Sequence, residues 1–184
     1  MIPIEVVIRR IAAGSYLKRN PSIKEGEIFS ELIVEFFLKD DAKHDPIIVV
    51  KPGRKNWEIR PAKQPINQGN PMEFMNPLLS EKEIETIEKT ARKVFVILEN
   101  AFQQIGIVLW DLKIEFGHRV NTREIIVADV IDNDSWRIRD ENGKQLDKQV
   151  YRDGGGLSRV EELYELVVGL TDKFSRLEII LPNR

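Results

Sequence analysis

One run of alternating side chains constrains the fold of this chain more than any other feature of its sequence. In residues 108–117, VLWDLKIEFG, the charged residues Asp111, Lys113 and Glu115 alternate with tryptophan, leucine, isoleucine and phenylalanine. Side chains two positions apart lie on the same face of a β-strand. The run therefore predicts a strand with one apolar face and one face that presents an acid, a base and an acid. A merely solvated sheet face is the alternative interpretation.

A second strand is predicted immediately downstream, within residues 123–137. The stretch from Glu124 to Ile131 is apolar and rich in β-branched residues, as expected of a strand buried on both faces, and Asp129 is its internal charge. The segment HRVNT between the two runs has the length of a hairpin loop. Pairing would bring Asp129 toward the charged face of the first strand, and a buried carboxylate must be paired or bound to a metal. The hairpin is therefore a candidate site for a divalent cation that holds phosphate oxygens.

Five segments, taken in order, resemble the SAICAR synthetase family, the phosphoribosylaminoimidazole-succinocarboxamide synthases of purine biosynthesis. VLWDLKIEFG is similar to the family signature D-x-K-x-E-F-G, and ADVIDNDSWR resembles the second signature in the form found in the animal bifunctional enzymes. The other three segments are residues 2–15, 35–46 and 147–153. Five segments in the family's order are stronger evidence than one short motif.

Apolar periodicity predicts the remaining regular elements. The expected strands are residues 3–11 and 27–39, and the expected amphipathic helices are residues 80–105 and 157–174. Ser80 and Glu83 form a capping box at the start of the longer helix, and Ser15 is expected to cap a short helical turn through Arg19. The predicted fold class is α+β, an antiparallel sheet that carries the metal-binding hairpin, with helices packed on one side. The resemblance implies a likeness to the larger lobe of the protein kinases.

Residues 46–79 form a proline-rich insertion, with lysines, arginines and asparagines between the prolines. Proline removes the hydrogen bonds of helix and sheet interiors, so the insertion is expected to be a long, partly ordered excursion that is poor in strands. Trp57 and Phe74 are expected to pin it to the surface. We predict that residues 1–184 form a single domain that includes this insertion.

The composition excludes several classes of protein. With 184 residues, of which 42% are hydrophobic, and a net charge of −2, the chain predicts a soluble domain with no general attraction to nucleic acid or to an anionic membrane. The absence of cysteine excludes thiol catalysis and fits a cytoplasmic protein. No apolar run approaches the length of a membrane span.

The resemblance implies an ATP-dependent ligation of L-aspartate to carboxyaminoimidazole ribonucleotide (CAIR) through an acyl phosphate. The implied ligands are CAIR, L-aspartate and ATP, with Mg²⁺ as the cofactor. The implied ATP-binding residues are Lys39, Glu115 and Asp129, of which Glu115 and Asp129 would hold the metal.

The same resemblance implies a substrate site. Its implied substrate-binding residues are Arg9, Ser15, Asp111, Arg137, Lys148 and Arg152, and its implied catalytic residues are Lys113, Asp45 and Asp134. The planar guanidinium group of Arg9 suits a carboxylate or a phosphate. The adjacent Arg10 is expected to be a charged residue exposed to solvent. The individual roles of Asp45, Asp111 and Asp134 stay open.

No glycine-rich phosphate loop occurs in the sequence. Under the resemblance, the family's preceding β-rich lobe, which covers the ATP phosphates, is missing, so the chain corresponds to the larger C-terminal lobe. Two alternatives follow: a non-catalytic lobe that binds nucleotide and needs a separate N-terminal lobe, and a small-molecule kinase with a similar metal hairpin. Apolar surface exposed by the strand at residues 3–11 is expected to favour a homo-oligomer.

Overall fold

The computed structural model describes residues 1–49, 57–66, 72–74, 78–147 and 157–177. Lys148 and Arg152 of the predicted substrate site lie outside the described residues, as do parts of the proline-rich insertion.

A large antiparallel sheet dominates the fold. Its strands are β1 (Ile4–Ile11), β2 (Ile28–Leu38), β3 (Ile47–Val49), β4 (Trp57–Arg60), β5 (Met72–Phe74), β6 (Ile107–His118), β7 (Ile125–Ala128) and β8 (Trp136–Asp140). The strand order is β5-β4-β3-β2-β1-β6-β7, and β8 also pairs with β6. The predicted antiparallel sheet with a β6–β7 hairpin is confirmed.

The described helices are α1 (Ser15–Arg19), α2 (Glu81–Gln104) and α3 (Leu157–Thr171). The predicted capping box opens α2, because the Ser80 hydroxyl accepts from the Glu83 backbone and the Glu83 carboxylate accepts from the Ser80 backbone at 2.8 Å. The predicted cap of α1 is wrong, since Gly14 precedes the helix and Ser15 is its first residue. Among the described residues, no helix has both the length and the apolar composition that a membrane span requires.

The main core lies between one face of the sheet and the helices α2 and α3. Ile4, Val6 and Ile8 of β1 are at most 1% exposed, and Phe95 and Phe102 of α2 are fully buried. Each such side chain contributes about 1.5–3 kcal/mol when it leaves water. The expectation that this first strand exposes apolar surface is therefore wrong, because β1 lies between β2 and β6 and its core side is covered.

The β7 strand differs from its prediction. It is the last strand in the described order, all four of its residues are partly buried, and Asp129 lies exposed just beyond its end with φ 76°. A strand with one neighbour cannot be covered in the way a central strand is. The argument that Asp129 must be paired because it is buried is therefore wrong.

The proline-rich insertion also differs from its prediction. Its described parts extend the sheet, since β3, β4 and β5 pair in order beyond β2. Trp57 is 4% exposed and belongs to the main core, so it does not merely pin the segment to the surface. The prolines at positions 61 and 65 follow β4, where no ladder hydrogen bond is lost.

Glu83 generates a prediction about stability. Hydrogen bonds from the Ser80 backbone and from His118, whose Nε2 lies 2.9 Å from Glu83 Oε1, lower the pKa of Glu83 from 4.5 to about 2. A carboxylate with a lowered pKa stabilises the fold above its usual pKa, and this stability is lost as the pH falls through the folded-state pKa. We expect Glu83→Gln to lower the free energy of unfolding by about 1 kcal/mol near neutral pH.

The difference between the Glu83→Gln variant and the natural chain should shrink as the pH falls from 4.5 toward 2. Urea unfolding followed by circular dichroism measures it at each pH. Glu85→Gln, an exposed position on the same helix, is the matched control and should leave the pH dependence unchanged. Parallel pH profiles for the natural chain and Glu83→Gln would contradict the prediction.

Candidate functional site

The face of the sheet opposite α2 carries a cleft made of three adjoining cavities. Their volumes are about 650, 310 and 250 Å³. The first cavity lies between β1, α1 and the turn after β4, the second lies over β1 and β6, and the third lies at the β6–β7 hairpin. The first and second cavities share Arg9, Ser15 and Arg137, and the second and third share Lys113 and Asp134. We call the three together the cleft.

The cleft brings together the described members of the predicted site. The residues that line it are Arg9, Ser15, Asp45, Asp111, Lys113, Glu115, Asp129, Asp134 and Arg137. The Lys39 ammonium contacts Glu115 at the hairpin end. These residues come from separate parts of the sequence, so their convergence could not be read from spacing alone.

The strand register explains why charged residues face the cleft. In the β1–β6 ladder, Arg9 pairs with Asp111 and Val7 with Lys113, while Ile8 pairs with Leu112 on the core side. The predicted division of this strand into a charged and an apolar face is confirmed. The charged face is not simply solvated, because Asp111 is only 3% exposed and Glu115 only 6%.

A chain of five charged side chains crosses the floor of the cleft. Arg9 Nε donates to Glu35 at 2.8 Å, and Arg9 Nη1 donates to Asp111. Arg19 donates to the second Glu35 oxygen at 2.6 Å, and Arg137 donates to Asp111 at 2.6 Å. We call this chain, Arg19–Glu35–Arg9–Asp111–Arg137, the ionic network. It carries three positive and two negative charges, so it leaves a net positive charge for an anionic ligand.

Burial and pairing act in opposite directions on the arginines of the ionic network. Burial lowers the pKa of Arg9, but attraction to Asp111 and Glu35 outweighs it and raises that pKa above its ordinary value. Burial is the dominant cause for Arg19 and lowers its pKa, although Glu35 opposes the shift. Removing one partner from such a network would leave a buried charge unpaired, which is costly. Glu35 and Arg19 were not predicted as site residues.

Arg9 and Arg10 are adjacent on β1, and their side chains lie on opposite faces of the sheet. Arg10 donates to both carboxylate oxygens of Glu99 on α2, at 2.7 and 3.1 Å. This hydrogen bonding raises the pKa of Arg10. The prediction of a free solvent charge at Arg10 is therefore wrong, because its side chain is partly buried and joins β1 to the core helix.

Arg137 lies against a glycine at the edge of the cleft. A Cβ atom added to Gly14 would lie 2.5 Å from Arg137 Nη2, and Gly14 has φ 59°, a conformation that other residues rarely adopt. Gly14 therefore allows the guanidinium group to approach the backbone beside Ser15. The Arg137 side chain is 19% exposed, so it can reach a ligand while still holding Asp111.

The hairpin end of the cleft holds two carboxylates and two lysines. Both Glu115 oxygens lie 2.8 Å from Lys39 Nζ, and this hydrogen bond raises the pKa of Lys39, with Asp129 among the smaller causes. Lys113 Nζ lies 3.1 Å from Glu5. Among the described residues, no three or more acidic, histidine or cysteine side chains are grouped as metal ligands. Glu115 and Asp129 nevertheless line the same cavity, as a pair of oxygen donors.

Tyr164 of α3 contacts a residue of the cleft. Its hydroxyl donates to Asp134, which lines the second and third cavities. The neighbouring Leu163 and Val167 of α3 are buried in the core. A tyrosine combines an apolar ring with a polar end, so Tyr164 can contact the cleft from a helix whose neighbouring residues are buried.

The chain matches known proteins over most of its length. Residues 1–168 match the family model described as SAICAR synthetase. A phosphoribosylaminoimidazole-succinocarboxamide synthase from Roseiflexus sp. (strain RS-1) is 46% identical over 179 residues, which cover 94% of this chain and 64% of that relative. The human bifunctional phosphoribosylaminoimidazole carboxylase/phosphoribosylaminoimidazole succinocarboxamide synthetase is 40% identical and is covered over 40% of its length.

A solved structure supports the same assignment. The structure described as SAICAR synthetase (Type-2) in complex with ADP superposes with a TM-score of 0.70 at 34% identity, and the match covers 99% of this chain and 65% of that one. This chain thus spans somewhat less than two thirds of the length of these synthetases. The family model covers far more than half of the chain, which therefore belongs to the SAICAR synthetase family.

Proposed function

We propose that this chain takes part in the ATP-dependent ligation of L-aspartate to CAIR, which yields SAICAR, ADP and phosphate. One observation carries the proposal: a continuous cleft has an arginine-rich end at Arg9 and Arg137, a carboxylate-rich end at Glu115 and Asp129, and Lys113 between them. Family membership supports the reaction, and a relative described as an ADP complex supports ATP as the phosphoryl donor.

The chemistry explains why such a cleft needs two differently charged ends. A carboxylate and an amine do not condense in water, so a CAIR carboxylate oxygen first attacks the γ-phosphorus of ATP. The bond to the bridging oxygen breaks, ADP leaves, and an acyl phosphate forms. The aspartate amine then attacks the acyl carbon, the carbon–nitrogen bond forms, phosphate leaves and the amine loses a proton. Positioning and charge stabilisation are the protein's contributions.

We assign CAIR to the arginine-rich end of the cleft. Arg137 can donate from its exposed edge while Asp111 fixes its other side, and Arg9 gives the floor a positive potential although it is itself buried. Ser15, at the start of α1, adds a hydroxyl to the same cavities. Lys113 lies where the cavities meet and is assigned to the carboxylate that reacts. Asp45 and Asp134 are assigned to the rim of the same site.

We assign Mg²⁺ and the ATP phosphates to the hairpin end. Magnesium is held by one or two carboxylates together with substrate phosphate oxygens, and the Glu115–Asp129 pair fits that donor set. The ion would supply neutralisation of phosphate charge. Lys39 already has its ammonium group at Glu115, so it is placed to contact the same phosphates.

The ligase assignment is tested by identifying the nucleotide product. The chain is incubated with Mg-ATP and CAIR, with and without L-aspartate, and the nucleotides are analysed by mass spectrometry. A ligase product contains the aspartate nitrogen and requires aspartate. A phosphorylated acceptor that accumulates equally without aspartate would support the kinase alternative instead.

The metal assignment predicts that substitution of Asp129 removes the effect of Mg²⁺ on ATP affinity without destabilising the fold. Asp129 is exposed, and within the described part of the chain its carboxylate accepts a hydrogen bond from the backbone of the next residue, Val130, so Asp129→Asn should leave the melting temperature unchanged. We expect it to abolish the gain in ATP affinity that Mg²⁺ produces over ATP with chelator. Isothermal titration calorimetry measures both affinities. Asp172→Asn, an exposed aspartate on the helical side, is the control, and an unchanged magnesium effect in Asp129→Asn would contradict the assignment.

The substrate assignment predicts that charge alone is insufficient at Arg137. Arg137→Lys keeps one positive charge but loses the fork that can hold Asp111 and a ligand together. We expect CAIR affinity to fall about tenfold, the equivalent of one charged hydrogen bond. Arg119→Lys, in an exposed pair with Glu124 of the hairpin loop, is the matched control for calorimetry. Equal CAIR affinity in both variants would remove Arg137 from the substrate site.

A further inference from the structure

Glu35 joins two arginines of the ionic network through its two separate oxygens. Oε2 accepts from Arg9 Nε at 2.8 Å, and Oε1 accepts from Arg19 Nη2 at 2.6 Å. The Glu35 side chain is only 8% exposed, and Glu35 is not among the described residues that line the cleft. Any effect of Glu35 on a ligand in the cleft must therefore act through the arginines that it holds.

Two carboxylates hold the guanidinium group of Arg9 and leave one nitrogen unused. Nε donates to Glu35, and Nη1 donates to Asp111 and, at 3.4 Å, to the Ala13 carbonyl. Within the described part of the chain, Nη2 donates to no protein group, although Arg9 lines both the first and the second cavity. Contacts through Nη1 alone would let the group pivot. Because the guanidinium group is planar, the second contact, with Glu35, fixes the direction of Nη2.

Arg19 is buried beside Glu35 in a position that is unfavourable for a charge. Its side chain is 0% exposed, its Nε is buried without a hydrogen-bond partner in the described part of the chain, and burial lowers its pKa. A well-packed apolar side chain would often be as stable in such a position. The presence of Arg19 is therefore better explained by the groups that it holds than by stability.

Residues 61–66, the turn after β4, fix Arg19 against the sheet. Arg19 Nη1 donates to the Ala62 carbonyl at 2.6 Å, and the Ile66 backbone N–H donates to the Arg19 carbonyl at 3.1 Å. The side chain and the backbone of Arg19 are thus both held by the same short segment of the proline-rich insertion. Through Glu35, the insertion is linked to the ionic network on the floor of the cleft.

Attraction between charges does not explain why Glu35 lies beneath a site for an anion. The three positive and two negative charges of the ionic network give a net charge of +1, and a neutral residue at position 35 would raise it to +2. The carboxylate therefore weakens the positive potential at the end of the cleft that we assign to CAIR. A contribution of Glu35 to substrate binding must come from geometry.

We propose that Glu35 is a positioning residue for the substrate, because it holds the Arg9 guanidinium group in the orientation that presents Nη2 to an anionic group of the bound ribonucleotide. This inference rests on the proposed function. Arg19 and the turn at residues 61–66 hold Glu35 in its place. The ligand thus meets a guanidinium group that is already oriented, and such a group loses little conformational entropy on binding, which raises affinity.

The first test uses the natural chain without substrate. Proton exchange at each arginine Nε–H is followed by nuclear magnetic resonance. Arg119 is the internal control, because its Nε also contacts a carboxylate, that of Glu124 at 3.2 Å, but the pair is exposed. We expect the Arg9 Nε–H to exchange about tenfold more slowly than that of Arg119, because its contact with Glu35 persists and is shielded from water. Equal exchange rates would overturn the proposal.

The second test separates position from charge at residue 35. Glu35→Gln removes the negative charge, and its single oxygen cannot accept from both Arg9 and Arg19. Glu35→Asp keeps the charge, but its shorter side chain cannot span the two arginines. We expect each variant to weaken CAIR binding about tenfold in calorimetry, the equivalent of one charged hydrogen bond. Charge attraction alone predicts tighter binding by Glu35→Gln and no change in Glu35→Asp.

Glu99→Gln is the matched control. Glu99 pairs with Arg10, the neighbour of Arg9 on β1, on the opposite face of the sheet. Its substitution should leave CAIR affinity unchanged. Mg-ATP affinity is measured in the same variants and should be unchanged in all three, because the ATP phosphates are assigned to the hairpin end of the cleft.

The other outcomes also decide. Unchanged or tighter CAIR binding by either folded variant of Glu35 would overturn the proposal. An equal loss of CAIR and Mg-ATP affinity would assign Glu35 to the stability of the fold and overturn it as well. If circular dichroism shows that Glu35→Gln does not fold, Glu35→Asp and the exchange rate of the Arg9 Nε–H decide. If the natural chain binds no CAIR although this proton is protected, the positioning of Arg9 by Glu35 stands and the proposed function fails.

Discussion

The guanidinium group of Arg9, held between Glu35 and Asp111, is the interaction on which the cleft depends. Arg9 lies on β1, an interior strand of the sheet, and is only 2% exposed, so its charge must be matched by partners within the protein. Glu35 and Asp111 come from the strands on either side of β1. The ion pairs therefore join three neighbouring strands on their cleft face, beyond the hydrogen bonds of the ladder. Arg19 pairs with Glu35 and Arg137 pairs with Asp111, so the ion pairs continue to both sides of the cleft.

The two faces of β1 lie in environments with opposite requirements. Its apolar side chains, such as Val6 and Ile8, are buried beneath α2, where only packing is needed. Its opposite side carries charged groups, and ion pairing must offset the free-energy cost of removing them from water. Arg10 links these environments, because it lies next to Arg9 but reaches Glu99 on α2. The floor of the cleft is thus anchored to the hydrophobic core, and its charged groups are held in fixed positions.

Local pattern predicted much of the fold, whereas most of the proposed site residues were implied by the family resemblance. The period of two in β6 gave the correct faces because alternation on a strand is a matter of backbone geometry. The position of β7 in the sheet could not be predicted, since an apolar run does not reveal how many neighbours a strand has. Arg19 and Glu35 were missed for a similar reason. Neither carries a motif of its own, and their roles follow from a fold that brings separate segments onto one face. The strand β8 was missed because its first residues continue a polar turn.

The contact between Lys39 and Glu115 has a consequence for how the hairpin end responds to ions. The ammonium group is an internal counterion, placed on both oxygens of a carboxylate that is largely shielded from solvent. A divalent cation that approaches Glu115 must compete with this resident charge, and exchange leaves the ammonium group free on its flexible stem. Under the proposed metal assignment, entry of a divalent cation at Glu115 would therefore displace the Lys39 ammonium group. Lys39 itself is 47% exposed, so dissolved salt can weaken its hold. Occupancy of this corner should consequently depend on ionic strength as well as on the concentration of the divalent ion.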